Sequence, residues 1–539
     1  MALNEEPDEG CGGGLSRREF LERSIGAGAA LVVPGLLAAG ASGANPRPSA
    51  GGNPRRGGHL TVALNDGGAT DTLSPWNEPF YSSAARNKQV YERLYTWDAT
   101  GRPMPELAVS AEPKKPTVWR IKLRSGVTFH NGKTLTADDV LYSIRYVAHP
   151  KNNAEARGRI AAIDAAASRV VSPTELELHL KRPIGDVPGV LLADKALWIV
   201  PAGTTDFSKP VGTGPFVFRS WQAGVRALYA RNPNYWGIGS GGGPPWVDSL
   251  EFQTIVDDTA RLNALLAGQV QEMLFISLVD ARAQMSNSAV RLIRTPQPNG
   301  DAIYMEIDSR DFRDIRVRHA LKLALDREEM VKNILIGFGS VGNDLWGKGL
   351  PSYNAHIPQR SHDPQRAASL LKQAGVGRLR LTLPAAEAGP GMFESAIVFK
   401  QQAAAAGVDV TLRKIDAGTY FSNNLYLKTP FYETTNVDSF EATTEDLLLP
   451  NSPYNETHWY DKRWATEFFK AQAIVDIDRR NAAYKALQEP LWDRGGYVIW
   501  GFFETLDATS PKVQGIVPNK SVGMENLGGL YFKNHWLSA

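Results

Sequence analysis

Hydrophobic and polar positions follow two different periods along residues 117–147, TVWRIKLRSGVTFHNGKTLTADDVLYSIRYV. Trp119, Ile121 and Leu123 point one way and Arg120, Lys122 and Arg124 the other, which is the period of a half-buried strand. Ser125-Gly126 breaks that strand. Val127–Phe129 predicts a second short strand, and Asn131-Gly132 a turn. The period then lengthens. Val140, Ile144 and Val147 form one apolar helical stripe, and Thr136 with Asp139 three residues on has the spacing of a capping box. His149-Pro150 ends the helix, because the residue before proline avoids the helical region.

The same reading extends along the chain. His59–Leu64 predicts the first strand, followed by the turn Asn65-Asp66-Gly67-Gly68, whose backbone can face a ligand. Val170–Leu180, Leu250–Ile255 and Ile303–Asp308 each read as a strand. Thr259–Ala267 reads as a helix stopped by Gly268. Val317, Ala320, Leu321 and Ala324 recur at helical spacing. Asp326 is placed to cap the next helix, with Glu329 closing a box. Asp363-Pro364 opens another helix that ends at Gly375. Phe393–Ala406 predicts a helix, Val408–Lys414 a strand, and Asp416 the cap of a further helix. This alternation, from about residue 305 to 430, is the pattern of an α/β lobe. Two helices between 461 and 494 and a strand at Tyr497–Glu504 complete the set.

Composition narrows the function. At 539 residues the chain has room for two or more domains. A formal net charge of +2 gives no electrostatic case for nucleic acid. Cys11 is the single cysteine, which excludes an intramolecular disulfide and a multi-cysteine metal site. There is no HExxH and no GxSxG, and the nine histidines form no metal-spaced pair, so neither an enzyme nor a cofactor is expected. GIGSGGG at 237–243 contains GxGxxG formally. It lies between Asn232-Pro233 and Pro244-Pro245, which deny it the strand and helix of a dinucleotide site.

Ser16-Arg17-Arg18-Glu19-Phe20-Leu21 fits a twin-arginine export pattern. The weakly apolar run Ile25–Ala41 is diluted by glycine and Pro34 and falls short of the ~20 strongly apolar residues of a membrane span. Small residues at 39–44 offer cleavage sites. Residues 1–44 are therefore expected to be a cleaved Tat signal. Cys11 precedes the arginines, so no lipid-anchor cysteine follows the signal, and a soluble periplasmic product is expected. Residues 45–58 form a Pro/Gly/Arg linker, expected to be disordered.

Arg124, Gly126, Val127, Phe129, His130, Asn131, Gly132, Leu135, Thr136, Ala137, Asp139 and Val140 stand at the spacing R-x-G-V-x-F-H-D/N-G-x-x-L-T-A-x-D-V. This run resembles the signature of the extracellular solute-binding protein family 5, the dipeptide- and oligopeptide-binding components of ABC importers. Further runs match the family in order: VYERLYTWD at 90–98, VGTGPF at 211–216, RNPNYW at 231–236, and DIRVRHALKLALDREEMV from Asp314. In that family the signature is mainly scaffold, so His130 reads as a packed or hydrogen-bonded residue. Three places depart from the pattern. Gln271 replaces a usual acid, and Asp308 stands where the family often has asparagine. The stretch 433–449 departs most. There the best alignment puts Asp438 on the acid that pairs a peptide ligand's α-ammonium, Glu441 on a second acid and Ala442 on a proline.

The resemblance implies an α/β, two-lobed periplasmic-binding-protein clamshell (type II-like), with an extra subdomain inserted in the first lobe. Lobe I would run over 59–304, with the inserted subdomain at about 85–205. Lobe II would span 305–495, and 496–539 would return to lobe I. Ligand would sit between the lobes and be enclosed by hinge closure. The candidate ligand-binding residues are Asp438, Asn65, Asp66, Gly67, Tyr304 and Asp308. The implied partners are a small-molecule or peptide ligand and the permease and ATPase subunits of an importer, with the receptor a monomer. Three functions stay open: a receptor for di- or oligopeptides; the same receptor for a nickel chelate, oligosaccharide, opine or glutathione; and, from another class, a secreted hydrolase.

Overall fold

In a computed structural model, the described residues are 53–538 apart from 69–70, 79, 99, 239–242, 390, 423–424, 437–438, 453 and 519–529. The expected signal at 1–44 and the candidate Asp438 lie outside them. The end of the expected linker is held in place. Gly57 N donates to Trp246 O at 2.9 Å and Gly58 N to Asp248 Oδ2 at 3.1 Å.

Two long antiparallel strands organise the molecule. Nine strands form the main sheet: β1 (His59–Leu64), β2 (Phe216–Gln222), β3 (Arg226–Arg231), β4 (Ser249–Thr254), β5 (Glu272–Met273), β6 (Arg291–Met305), β7 (Gly339–Val341), β8 (Phe431–Asn436) and β9 (Tyr497–Thr509). Their order is β8-β6-β9-β5-β1-β4-β3-β2, with β7 also on β9. The first half of β6 pairs with the second half of β9, beside β5 and β1. The other halves, Gly300–Tyr304 with Tyr497–Phe502, lie beside β8 and β7. The register shifts between Pro296 and Gly300. Proline has no amide hydrogen for a ladder, so Pro296 and Pro298 weaken pairing midway along β6. β6 therefore starts at Arg291, well before the expected Ile303, and stops at Met305 rather than Asp308.

Each lobe has its own core. In the first, residues of β1, β3 and β4 pack with Leu94, Trp119, Ile144 and Trp198. The inserted portion holds a separate four-stranded sheet over 108–179 and helix α2 (Ala137–Ala148), which follows helix α1 (Tyr81–Val90). The capping box of α2 forms as expected: Asp139 accepts from Thr136 N at 2.9 Å and from its hydroxyl at 3.1 Å. Val140, Ile144 and Val147 are buried beneath it. The expected strand at 170–180 is instead two antiparallel strands, Arg169–Ser172 and Glu175–His179, with Pro173 at the turn between them. Val127–Phe129 forms no strand and contributes a single bridge, Thr128 to Thr134.

The second lobe carries helices α3 (Ile315–Leu323), α4 (Arg327–Ile334), α5 (Pro364–Gln373) and α6 (Met392–Ala405), and the parallel pair Leu379–Ala385 and Val408–Lys414. Asp326 and Asp363 cap α4 and α5 through Glu329 N and Arg366 N. Asp416 precedes the next helix without making a side-chain cap.

The family-like runs meet through buried polar hubs. Glu92 accepts from Thr213 Oγ1 at 2.9 Å, from the Tyr235 hydroxyl at 2.7 Å and from Trp236 Nε1 at 2.7 Å. Three runs far apart in sequence converge on that carboxylate. Burial, then the nearby Glu106, pushes Glu92 up to about 7. In the second lobe Asp344 takes Arg327 at 2.7 Å, Arg360 at 2.8 Å and the Ile499 amide at 3.1 Å. His130 is a packing residue, with its Nε2 at 3.0 Å from Gly214 O; burial lowers its pKa to about 4, so it is neutral at pH 7.

Candidate ligand-binding site

The seam between the lobes follows from strand register. β1 and β5 pair Ala63 with Met273, and β5 and β9 pair Met273 with Ala508. Asn65, two residues past Ala63, is therefore level with Phe275 and Leu506, at the edge of lobe I that faces the crossing. Ile276 N indeed reaches Leu506 O at 2.9 Å. On the far side of the crossing, Gly300 and Asp301 open the lobe II half of β6, and Thr435 and Asn436 end β8 beside them.

Three loops crowd that end of lobe II. A side chain at Gly300 would stand 2.8 Å from the Phe502 ring and 3.1 Å from the Trp346 ring. At Gly347 it would stand 2.9 Å from Phe440 N, and at Gly389 4.0 Å from Thr435. The loops at 346–347 and 389, with Phe440, thus stand around the start of the lobe II sheet. Buried polar atoms here lack partners among the described residues: Asn65 Oδ1, Asn299 Oδ1, Trp346 Nε1 and both carboxylate oxygens of Asp301. A buried polar atom without a partner is costly. Several together at a seam suit a solute that brings the missing hydrogen bonds.

The six candidates from sequence separate in space. Asn65 is buried at the seam. Gly67 has φ +128°, and a Cβ there would stand 3.3 Å from Thr254 Oγ1, so the turn requires glycine. Asp66 is occupied elsewhere: its oxygens accept from Tyr81 N at 2.6 Å and Ser82 N at 2.8 Å, at the start of α1. Burial raises its pKa, against those two amides. Tyr304 is fully buried in the lobe II aromatic core, stacked on Tyr432 with ring centroids 5.9 Å apart. Asp308 lies beyond the other end of β6, roughly 17 Å or more from Gly300 at the rise of a strand. Its Oδ1 is 2.8 Å from His458 Nδ1. Position along the chain decides this: β6 meets the seam at 300–301, Tyr304 is buried further along it, and Asp308 is exposed beyond its far end. Sequence reading passed over Asn299 and Asp301, because a polar run broken by two prolines resembles a loop.

The lobes touch directly. Arg480 of lobe II pairs with Asp186 of the inserted portion at 3.0 Å, and Arg182 donates to Glu445 at 2.8 Å and to Gln472. Gly185 N donates to Gln472 O at 2.7 Å. A Cβ on Gly185 would run into the Ile474 carbonyl, so only glycine permits this approach.

Comparison with known proteins agrees with this geometry. The profile described as bacterial extracellular solute-binding proteins, family 5 Middle, matches residues 102–445. The glutathione-binding protein GsiB of Pectobacterium atrosepticum is 24% identical over 484 residues, covering 85% of this chain and 92% of that protein. GsiB of Escherichia coli K12 is 23% identical over 479 residues, covering 84% and 92%. Among solved structures, HbpA2 from Haemophilus parasuis superposes with TM-score 0.79 at 20% identity, covering 89% of this chain and 100% of that one. The periplasmic binding protein DppA from Helicobacter pylori, in complex with the peptide STSA, gives TM-score 0.70 at 20% identity, covering 90% and 99%. The fold is thus the two-lobed α/β clamshell, and the chain belongs to the bacterial extracellular solute-binding proteins of family 5.

Proposed function

We propose that this solute-binding protein is the receptor of an ABC importer for a peptide or peptide-like solute, captured at the seam between its lobes. The observation that carries the reading is the group of unpartnered buried polar atoms at that seam. Solute touches both lobes only when they are shut. It therefore shifts the population toward the closed form, which docks on the permease. Asp438 is assigned to the solute's α-ammonium, since a carboxylate in a closing cleft gains strength as water leaves. Residues 1–44 are assigned as a Tat signal delivering the protein to the periplasm. The lobe boundary is assigned to the register shift between Pro296 and Gly300 and its partner segment at Phe502–Glu504.

A second reading keeps the receptor and changes the solute. The glutathione-binding relatives favour it, as does the altered stretch 433–449. Native mass spectrometry of the purified protein, before and after unfolding and refolding to strip it, separates the two. A heterogeneous set of peptide masses is expected. One discrete mass of glutathione, an opine, a sugar or a metal chelate overturns the peptide reading and the α-ammonium role of Asp438.

A further inference from the structure

Two acids of lobe II share a face of the sheet without a counter-charge. Asp301 on β6 and Glu433 on β8 are both fully buried. Asp301 lies opposite Thr435 and Glu433 opposite Ile303, so the two acids are diagonal neighbours on one face. The Ser395 hydroxyl of α6 donates to Glu433 Oε1, while Glu433 Oε2 has no partner. Among the described residues the Asp301 oxygens make no hydrogen bond of ordinary length, and the nearby Thr435 hydroxyl, which donates to Gly300 O at 3.1 Å, is the polar group that acts on them. The remaining charged group acting on the pair is Glu394, a third acid on α6. Among the described residues no lysine, arginine or histidine acts on either carboxyl.

Several other buried acids among the described residues have a basic partner. Asp344 lies between Arg327 and Arg360, Asp71 holds Arg86, and Glu272 holds His535. An unanswered pair of buried carboxyls is costly, and such pairs mark functional positions. This one stands at the seam end of β6 and β8, next to Gly300 and beneath the loop at Gly389.

We infer that Asp301 and Glu433 form a receptor for a cationic group of the solute, an ammonium or guanidinium distinct from the α-ammonium assigned to Asp438. The inference deepens the receptor reading and rests on it. Burial raises Asp301 to about 8 and holds Glu433 well above the usual carboxylate range, so the empty pair carries its protons at neutral pH. An arriving cation supplies the missing positive charge, and one proton leaves as it enters. The net charge of the site is unchanged.

The test is calorimetry on stripped protein at pH 7 with trialanine, Ala-Lys-Ala and glutathione, each in two buffers of different ionisation enthalpy. Ala-Lys-Ala is expected to bind about tenfold or more tighter than trialanine and to release about one proton more. Asp301→Asn should abolish both differences between the two tripeptides. Glu433→Gln, which retains an oxygen for Ser395, serves as a second variant should the first fold poorly. Equal affinity for the two tripeptides, or a lysine preference that survives in both variants, overturns this inference and leaves the receptor reading standing. Binding of glutathione with neither tripeptide bound removes the peptide reading, and with it the second-cation site. No binding of any of the three counts against both.

Discussion

Arg480 and Asp186 meet at 3.0 Å across the two lobes, and the arginine is 3% exposed. The same arginine reaches the Ile474 and Val475 carbonyls at 2.9 and 3.0 Å. The contact surface of lobe II is thus built before the lobes meet, and Asp186 completes it. Asp186 is fixed in turn, since its Oδ1 accepts from Gly189 N at 3.0 Å. Each partner of the contact is thus also held from within its own lobe.

Gly185→Ala is expected to hold the lobes apart, because the added methyl would occupy the position of the Ile474 carbonyl. Small-angle scattering should show a larger radius of gyration, and solute affinity should fall at least several-fold. Asp186→Asn keeps the oxygen for Gly189 and removes the charge from Arg480. It should weaken closure by roughly 1.5–3 kcal/mol, the usual worth of a charged hydrogen bond. Unchanged scattering and affinity in both variants would refute the latch.

Glu92→Ala should destabilise lobe I. It strands the Thr213 hydroxyl, the Tyr235 hydroxyl and the Trp236 indole together. At about 1–3 kcal/mol for each buried polar group left unpaired, the loss should be plain in urea unfolding. A midpoint within error of the parent protein would show that water replaces the carboxylate.

Asp301 gives stability a pH dependence of definite sign. The folded state holds this proton up to about pH 8. An unfolded aspartate releases it near 4. Between those values the folded state binds more protons, so this contribution to stability is full below about pH 4 and falls as pH rises to about 8. Asp301→Asn should flatten the fall, with the variant gaining on the parent protein at pH 8 relative to pH 5. Parallel curves from chemical denaturation would contradict it.

Asp308→Ala is expected to leave solute affinity unchanged, since Asp308 lies past the far end of β6 and pairs with His458. A large loss of affinity would move the site.

Arg17→Lys with Arg18→Lys should block export, because the twin-arginine pattern is read as a pair. Normal periplasmic accumulation of the double variant would remove the Tat assignment.

The elements that the sequence determined are those whose information is local. The α2 capping box needs Thr136 and Asp139 three residues apart, and the caps at Asp326 and Asp363 need only the following turn. The strands read at His59–Leu64 and 250–255 match β1 and β4, and the ordered motifs identified the family. The hairpin at 169–179 was missed because one alternating run and two short strands around Pro173 look alike in sequence. The candidate site was legible only in part. Asn65 stands at the seam, but Gly67 serves its turn, Asp66 caps α1, Tyr304 is buried along β6 and Asp308 lies exposed beyond its end. What decides whether a β6 residue meets solute is its distance from the crossing, and that distance is set by pairing with β8 and β9, more than a hundred residues away in sequence. The Asp301–Glu433 pair and the Asp186–Arg480 contact exist for the same reason: each joins residues far apart in sequence that only the assembled tertiary structure brings together.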